Sequence, residues 1–576
     1  FDAYIFNVRA TPDDAYRFAR GEALTHPSGY DIQLSGPPLD FISVTDHGAY
    51  LGILPAMDDP SSPLSKLPIA ADMFGTDPLT ITRAFQRVGA SVRSGVPLPG
   101  ALDQNVMNST WARTVEAADR HYAPGTLTTF AGYEYTAVVT RADSDGFGGG
   151  NLHRNVFFKD AAPEQLFTVL DSTNPEDLWD WMDAERAAGR ESIAIPHNSN
   201  VSDGRMFALD TYAGAPLTAA YSKQRMRNEP LVEITQVKGT SETHPELSPN
   251  DEFANFEIYD KLLGAPTVSA TSGGFVREAY GRGLGLDAEG KGNPYRFGLI
   301  ASSDTHVAGG SFDEARMWSK VGLIDGTPEA RGSIPPGGAK SWEGVTLNPN
   351  ADLWFSRWSA AGLAGVWAEE NTREAIFDAM RRKETFATSG PRLRVRLFAG
   401  YDLDAAVLDA PDLVTQAYAR GVPMGGDLLS DGARTPAFLA WAMRDPAAAP
   451  LERLQIVKVW HDGDAQQERI YDVACADGAQ PDDETRRCPA TASRLDMSDC
   501  SLSAEGGDPE LRAVWRDPDF DTSENAVYYV RALEVPTCRW STWDAIRNGT
   551  PPNPDLLETL QERAWTSPIW YVPERS

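Results

Sequence analysis

Through the first two-thirds of the chain, short apolar runs that end on polar or small residues alternate with stretches of helical period. The runs are PLDFISVTDHG (38–48), LTTFAGYEYT (127–136), LHRNVFFKD (152–160), SIAIPHNSN (192–200), LVEITQVKG (231–239) and FGLIASSDTH (297–306). Apolar runs of this length bounded by turn-forming residues predict buried strands. Between them, NPEDLWDWMDAERAAG (174–189) reads as a helix with Asn174 as N-cap, Pro175 at the first helical position and Gly189 as terminator. NSTWARTVEAADRHYAPG (108–125) reads as a second, capped by Asn108 or Ser109, and NTREAIFDAMRRK (371–383) as a third. That third helix carries a capping box of Asn371 with Glu374 and closes on basic residues that suit the helix dipole. Strand, helix, strand, helix predicts an α/β fold with a mainly parallel sheet or barrel.

The pattern changes after ETFATSGPRL (384–393). RLRVRLF (392–398) alternates polar and apolar positions, as a half-exposed strand does. Pro and Gly clusters then separate short β-rich runs: PAFLAWAMR (436–444), LERLQIVKVW (451–460) and AVYYVRALEV (526–535). Residues 1–390 therefore read as one domain and 391–576 as a second, an antiparallel β-sandwich-like domain. No internal repeat and no long low-complexity tract interrupts them.

A length of 576 residues fits roughly two to four domains. An apolar fraction of 41%, with fifteen Trp, supplies large packed cores. The balance of 52 basic to 82 acidic residues leaves a net charge of −30, which argues against nucleic acid and anionic lipid as general partners. A local cationic or metal-lined pocket still suits a small anionic substrate. No apolar stretch is long enough to span a membrane. No signal peptide is legible either, and the chain reads as a processed or trimmed form as readily as a whole one. Cys475, Cys488, Cys500 and Cys538 all lie in the last part of the chain, and none forms a C-x-x-C pair. An even number in one region predicts two disulfides and an oxidising compartment, periplasmic or secreted. Sequential pairing, Cys475–Cys488 and Cys500–Cys538, is the pairing expected; the alternative is four reduced, buried thiols in a cytosolic protein. Oligomeric state is not legible.

The polar residues fall at particular places in the apolar runs. His47 ends the first in TDH, Glu134 ends the second in GYEY, His153 opens the third, His197 ends the fourth in PHN, and Asp304 and His306 end the last. In α/β barrels, ligands and catalysis gather at the carboxyl ends of the strands. Imidazole and carboxylate are the donor set of hydrolytic metals. Four of the eight histidines in such positions, with carboxylates among them, are too many for one tetrahedral ion. They suit two or three divalent ions, Mn, Zn or Fe, holding a hydroxide nucleophile and clamping the anion under attack. Taken singly, each histidine is more simply a hydrogen-bonded core or loop residue, and Asp304 a helix cap. His26, His121, His244 and His461 keep that plain reading.

TDH, the strand-end Glu134, HRN, PHN and SDTH, in this order, resemble the PHP (polymerase and histidinol phosphatase) superfamily. That family has a distorted seven-stranded (β/α) barrel, a trinuclear metal site and phosphoesterase activity. FDAYIFNVRATPDDAYRFARGEAL, PLDFISVTDHGAYLG, IAIPHNSNVSDGRMF, QVKGTSETHP and ATSGPRLRVRLFAG more closely resemble a large bacterial family of unknown function, DUF3604. GVPMGGDL (421–428) and PTCRWSTWDA (536–545) extend that likeness into the second domain. Such proteins open on a strand ending in H-x-H, in a stretch like HxHTxxSxDAY. This sequence starts at FDAY, so Asp2 matches the third ligand position and the H-x-H pair of the first strand would lie upstream. The resemblance implies seven metal ligands in view: Asp2, His47, Glu134, His153, His197, Asp304 and His306, with Glu134 as the bridging carboxylate. It implies that Asp46 holds an imidazole in its tautomer. It also places Lys238 at the same mouth, where it would bind a phosphate or sulfate oxygen. Arg154 and Arg205 are further candidates for that role; a rim charge or internal salt bridge is the plain alternative for all three. Glu242 reads as structural.

Two classes of function follow. One is a metal-dependent hydrolase of phosphate esters or, as in an arylsulfatase, sulfate esters. The other is a non-catalytic or vestigial metal-binding envelope protein. A metal-dependent hydrolase of C–N or lactone bonds is a third possibility. Trp540 and Trp543, in TCRWSTW (537–543), read either as aromatic walls over the mouth or as core.

Overall fold

The computed structural model describes residues 1–140, 149–463 and 465–574. The principal strands of the first part are β1 (Phe41–Val44), β2 (Thr128–Thr140), β3 (Gly149–Phe158) and β4 (Ser192–Pro196), in that spatial order. Only β1 and β2 run parallel; β2–β3 and β3–β4 are antiparallel. A separate parallel pair joins β5 (Leu231–Glu233) to β6 (Gly298–Ile300). The mainly parallel sheet expected from the strand–helix alternation is therefore corrected to a mixed one, and no closed barrel forms among the described residues. For β2 and β3 the reason is visible in the spacing. Only a short connection separates β2 from β3, too short for a helical crossover, and such a link favours a hairpin.

The helices sit where their patterns place them, two of the three with shifted caps. Pro175–Ala187 is capped by Asn174, whose side chain accepts from Glu176 N. The helix read from Asn108 instead starts at Gln104, because Asp103 accepts from the amides of Asn105 and Val106. The cap of Arg373–Arg382 is Thr372, which accepts from Ala375 N, so the capping box expected at Asn371 is not the one that forms. In the last two cases a neighbouring Asp or Thr outcompetes the expected cap for the same orphan amides.

The later strands build two sheets. β7 (Leu363–Val366), β8 (Thr385–Thr388), β11 (Leu451–His461), β12 (Gln466–Cys475), β14 (Ala526–Glu534), β15 (Arg563–Thr566) and β16 (Ile569–Val572) join a short strand, Asp427–Leu429, in an eight-stranded sheet. β9 (Arg394–Gly400), β10 (Ala437–Met443) and β13 (Glu510–Arg516) form an antiparallel sheet with the short strand Val422–Pro423. One apolar cluster, including Val395, Leu397, Phe438, Ile456, Tyr528 and Val530, fills the space between the two sheets. Side chains alternate across a strand. Val527 and Tyr529, neighbours of Tyr528, therefore pack the opposite face of the large sheet against the first part of the chain, where Tyr280 and Phe297 meet them. β7 and β8 precede residue 390 yet lie in this large sheet, β8 pairing with β15. Both expected disulfides are present, Cys475–Cys488 and Cys500–Cys538. Trp540 is fully buried, its indole N–H donating to Trp358 O at 2.8 Å, so it is core rather than a wall.

Candidate metal centre

β2 and β3 present Glu134 and Thr136 opposite Asn155 and His153, which puts all four on one face of the hairpin. β1 ends beside β2, and His47 bridges to Glu134 there. β4 ends at Pro196 and delivers His197 next to the same face. β6 stops at Ile300, and the loop that follows turns back through Asp304, whose φ of 49° is left-handed. A short helix, Asp2–Ile5, brings Asp2 in from the start of the chain, and the Phe1 ring stacks on His47 at 4.4 Å.

The donors fall into two trios: Asp2, His47 and His306; and Glu134, His153 and His197. Asp2 Oδ2 is 3.2 Å from His47 Nε2 and 2.9 Å from His306 Nε2. Glu134 Oε1 is 2.9 Å from His153 Nδ1 and 3.7 Å from His197 Nε2. The same oxygen is 3.4 Å from His47 Nδ1, so Glu134 and His47 link the trios. Thr136 Oγ1 donates to Glu134 Oε1 at 3.0 Å and lies 2.5 Å from His47 Nδ1. Asp304 borders the first trio, its Oδ1 3.9 Å from His306 Nδ1, and is ion-paired with Lys238.

Burial and charge fit this donor set to cations. His153 Nε2 and both ring nitrogens of His197 are buried without a hydrogen-bond partner. Leaving such an atom unpaired costs about 1–3 kcal/mol, which a coordinated ion would remove. Burial holds His197 down, at about 4, and lowers His153, against the pull of Glu134. Both are neutral near pH 7, the form that donates to a metal. Burial raises Glu134, but the imidazoles of His47, His153 and His197 outweigh it and hold the carboxylate well below its usual range. Asp2 follows the same logic with His306 and His47. Burial opposes charge on His47, yet Glu134 and Asp2 raise it to about 10. The two carboxylates thus demand positive charge between them.

Of the residues singled out in the sequence, Asp2, His47, Glu134, His153, His197, His306, Asp304 and Lys238 converge here. Two others do not. Arg154 follows His153 in β3 and so points to the opposite face, where its Nε donates to Glu229 at 2.8 Å. Strand alternation alone separates it from its neighbour. Asp46 is exposed; its backbone carbonyl accepts from Glu134 N at 2.8 Å, and Thr136, not Asp46, contacts the His47 imidazole. Arg205 pairs with Asp210 at 3.5 Å, away from the cluster. Glu242 is structural, bound to Arg277 at 2.6 Å.

Four residues enter that the sequence did not flag. Thr136 is one. Gln236 donates to Asp304 Oδ2 at 2.8 Å and accepts from Lys238 N at 2.9 Å. Glu233 accepts from Ser302 Oγ and from Asn198 N, and burial raises it to about 8. Lys320 Nζ lies 3.2 Å from His306 Nδ1 and 3.7 Å from Asp304 Oδ1. Thr136 had a signal, since it sits two residues from Glu134 in a strand. Glu233 and Gln236 lie inside the apolar run 231–239 rather than at its end, and Lys320 lies in an irregular segment.

The first trio and Glu134 open onto a cavity of about 730 Å³. Asp2, His47, Glu134, Asp304 and His306 line one end, and apolar side chains such as Phe130 and Ile300 line the rest. Consecutive residues of β1 and β7 border it, so the cavity runs along the strand edges rather than across a face.

A family model described as a protein of unknown function, DUF3604, matches residues 1–573. No curated protein matches the chain, and no solved structure does.

Proposed function

The chain belongs to the DUF3604 family, and from that premise and its own geometry we propose that it is a metal-dependent hydrolase of phosphate or sulfate esters. The observation that carries the reading is the pair of linked donor trios, with three buried imidazole nitrogens left unpaired. Asp2, His47 and His306 would hold one divalent cation, Glu134, His153 and His197 a second, with Glu134 shared through His47. Mn, Zn and Fe all suit this nitrogen and oxygen set. Bound there, such ions supply Lewis acidity and lower the pKa of water.

The chain's own residues do the rest. Thr136 orients Glu134 and His47. Gln236 and Lys238 fix Asp304, and the apolar cavity wall limits water around an ester seated at the mouth. The same donors support the likeness to the PHP superfamily, whose phosphoesterase chemistry runs at clusters of imidazole and carboxylate. Two disulfides support a periplasmic or secreted location.

The test is elemental analysis joined to turnover. Purified protein should carry two or more Mn, Zn or Fe per chain and hydrolyse an aryl phosphate or aryl sulfate. Chelation should abolish turnover, and readdition of one of these metals should restore it. His197→Ala should lower kcat/KM by about 10³-fold while the circular dichroism spectrum is kept. Full activity in the chelated protein or in that variant sinks the reading.

A further inference from the structure

Asn155 lies directly opposite Glu134 in the β2–β3 hairpin and two residues along β3 from His153, on the same face as both. Residues paired in this way hold their Cβ atoms about 4.5–5.5 Å apart, so the Asn155 amide stands beside the Glu134 carboxylate. Its Oδ1 is buried without a hydrogen-bond partner, and its Nδ2 donates to no described residue. Two acceptors, a carboxylate and an amide oxygen, thus face one another across the hairpin, and neither offers the other a proton. A cation reconciles them. It also fixes how the amide turns, because beside a positive ion the oxygen points inward and the N–H group outward.

Outward from Asn155 is the cavity. The residue is half-buried and lines that space together with Glu134. Asp2, Asp46, Glu134 and Asp304 line the same end. The arginines of the lining, Arg392 and Arg394, stand beyond the opposite end of β1, where Arg392 donates to Pro38 O at 3.1 Å. An oxyanion seated at the donor trios would therefore meet four carboxylates and no side-chain cation. Metal ions offset part of that repulsion, and neutral N–H or O–H donors must supply the rest. Ser43, Ser302 and Thr305, also in the lining, spend their hydroxyl protons on Phe130 O, Glu233 and Gly309 O. The Asn155 amide is uncommitted.

We propose that Asn155 joins the second cation to the substrate: Oδ1 completes the donor set of Glu134, His153 and His197, and Nδ2 donates to an oxygen of the tetrahedral anion at the cavity end. The proposal rests on the hydrolase reading and adds to it a neutral oxygen ligand and a substrate contact. A cation on Oδ1 polarises the amide and makes its N–H a stronger donor to an anion. Because linkage is reciprocal, the anion should in turn tighten the cation. An amide carbonyl suits Mn better than Zn, which narrows the choice of metal at this trio.

The test is calorimetric titration of the chelated whole chain with Mn, then of the Mn-loaded protein with inorganic phosphate and, separately, sulfate. Native protein should bind Mn and at least one of the anions, and the anion bound more tightly names the ester. Asn155→Leu removes both polar atoms at similar volume. It should weaken Mn binding at one site, and anion binding in Mn-saturated protein, each by about tenfold or more. Asn155→Asp keeps the inward oxygen and loses the N–H. It should return Mn affinity to at least the native level without returning the anion. An Asn155→Leu protein that loses neither property, or only one, overturns the proposal. So does an Asn155→Asp protein that binds the anion as native protein does or has lost Mn, and this variant decides alone where Asn155→Leu loses its native circular dichroism. Native protein that holds Mn but binds neither anion overturns it as well. Turnover separates the proposal from the reading beneath it. A native chain that holds Mn and hydrolyses ester, with both variants matching it in Mn and anion binding, refutes the role of Asn155 alone. One that takes up no metal sinks both.

Discussion

Two of the buried clusters of charged side chains among the described residues are built on opposite plans. The first is the candidate metal centre. The second joins Glu242 and Asp251 to Arg277 and Arg531, where the large β sheet meets the first part of the chain. In the second, charges balance two against two. Arg277 reaches Glu242 at 2.6 Å and Asp251 at 2.9 Å, Arg531 reaches Asp251 at 2.8 Å, and Tyr529 donates to Glu242 at 2.9 Å. None of the four charged side chains has a buried atom without a partner. In the metal centre, by contrast, His153 and His197 keep unpaired nitrogens, His47 is drawn toward protonation, and two lysines share one acid. A satisfied cluster is finished by folding. An unsatisfied one is finished only by something that binds.

The largest effect that would break this comparison is a swap of consequences. Glu134→Gln should cost metal content and about 10³-fold in turnover while leaving the thermal midpoint nearly unchanged. Arg531→Met should do the reverse. It strands Asp251 and Glu242 as buried acids, an error worth about 3–5 kcal/mol, yet the folded fraction should bind metal as before. Denaturant melts and elemental analysis of the two variants decide it. A metal-depleted but stable Arg531→Met protein would erase the distinction.

A smaller effect sharpens it. Glu314 is a buried acid that belongs to neither cluster. Burial raises it to about 8, Glu257 pushes the same way, and Arg539 with the amides of Trp540 and Ala360 opposes. Its folded pKa lies above the unfolded value, so its stabilising contribution is complete below about pH 4.5. That contribution is lost as the pH rises toward 8. The thermal midpoint of the native chain should therefore fall across this window, and Glu314→Gln should flatten the slope by roughly 3–6 °C. An unaltered slope would show that Arg539 already neutralises this acid. Glu242 has the opposite sign: burial raises it, but Arg531 and Arg277 hold it at about 2, so its contribution persists until strong acid.

The smallest effect expected is that of Arg154→Met. The arginine sits across the sheet from His153 and is tied to Glu229. Metal count should be unchanged and turnover should stay within about twofold, with the loss confined to stability. A metal-deficient variant would return Arg154 to the site.

These contrasts also mark what the sequence could carry. The candidate ligands were legible because each ends or flanks an apolar run, and a strand end is a fixed place in space. Strand direction was not, since periodicity is the same for parallel and antiparallel neighbours; only the short β2–β3 link held that information. Lys320 was invisible because it lies in an irregular segment, and Glu233 and Gln236 because they sit inside the run 231–239 rather than at its end; their contacts with His306, Asn198 and Asp304 have no counterpart in local pattern. The disulfides, by contrast, followed from confinement of four cysteines to one region.

The placement of β7 and β8 in the large sheet has one more consequence. Thr388 and Ala364 belong, by chain order, with the residues that surround the cavity, but β8 hydrogen-bonds to Arg563–Thr566, and Leu299 N donates to Ser567 Oγ at 2.9 Å. A protein engineer who severed the gene near codon 390 would separate threads of a single weave rather than two modules. Neither fragment would inherit the complete eight-stranded sheet, and the half that carries the candidate metal centre could be borrowed by another scaffold only together with its distant tail.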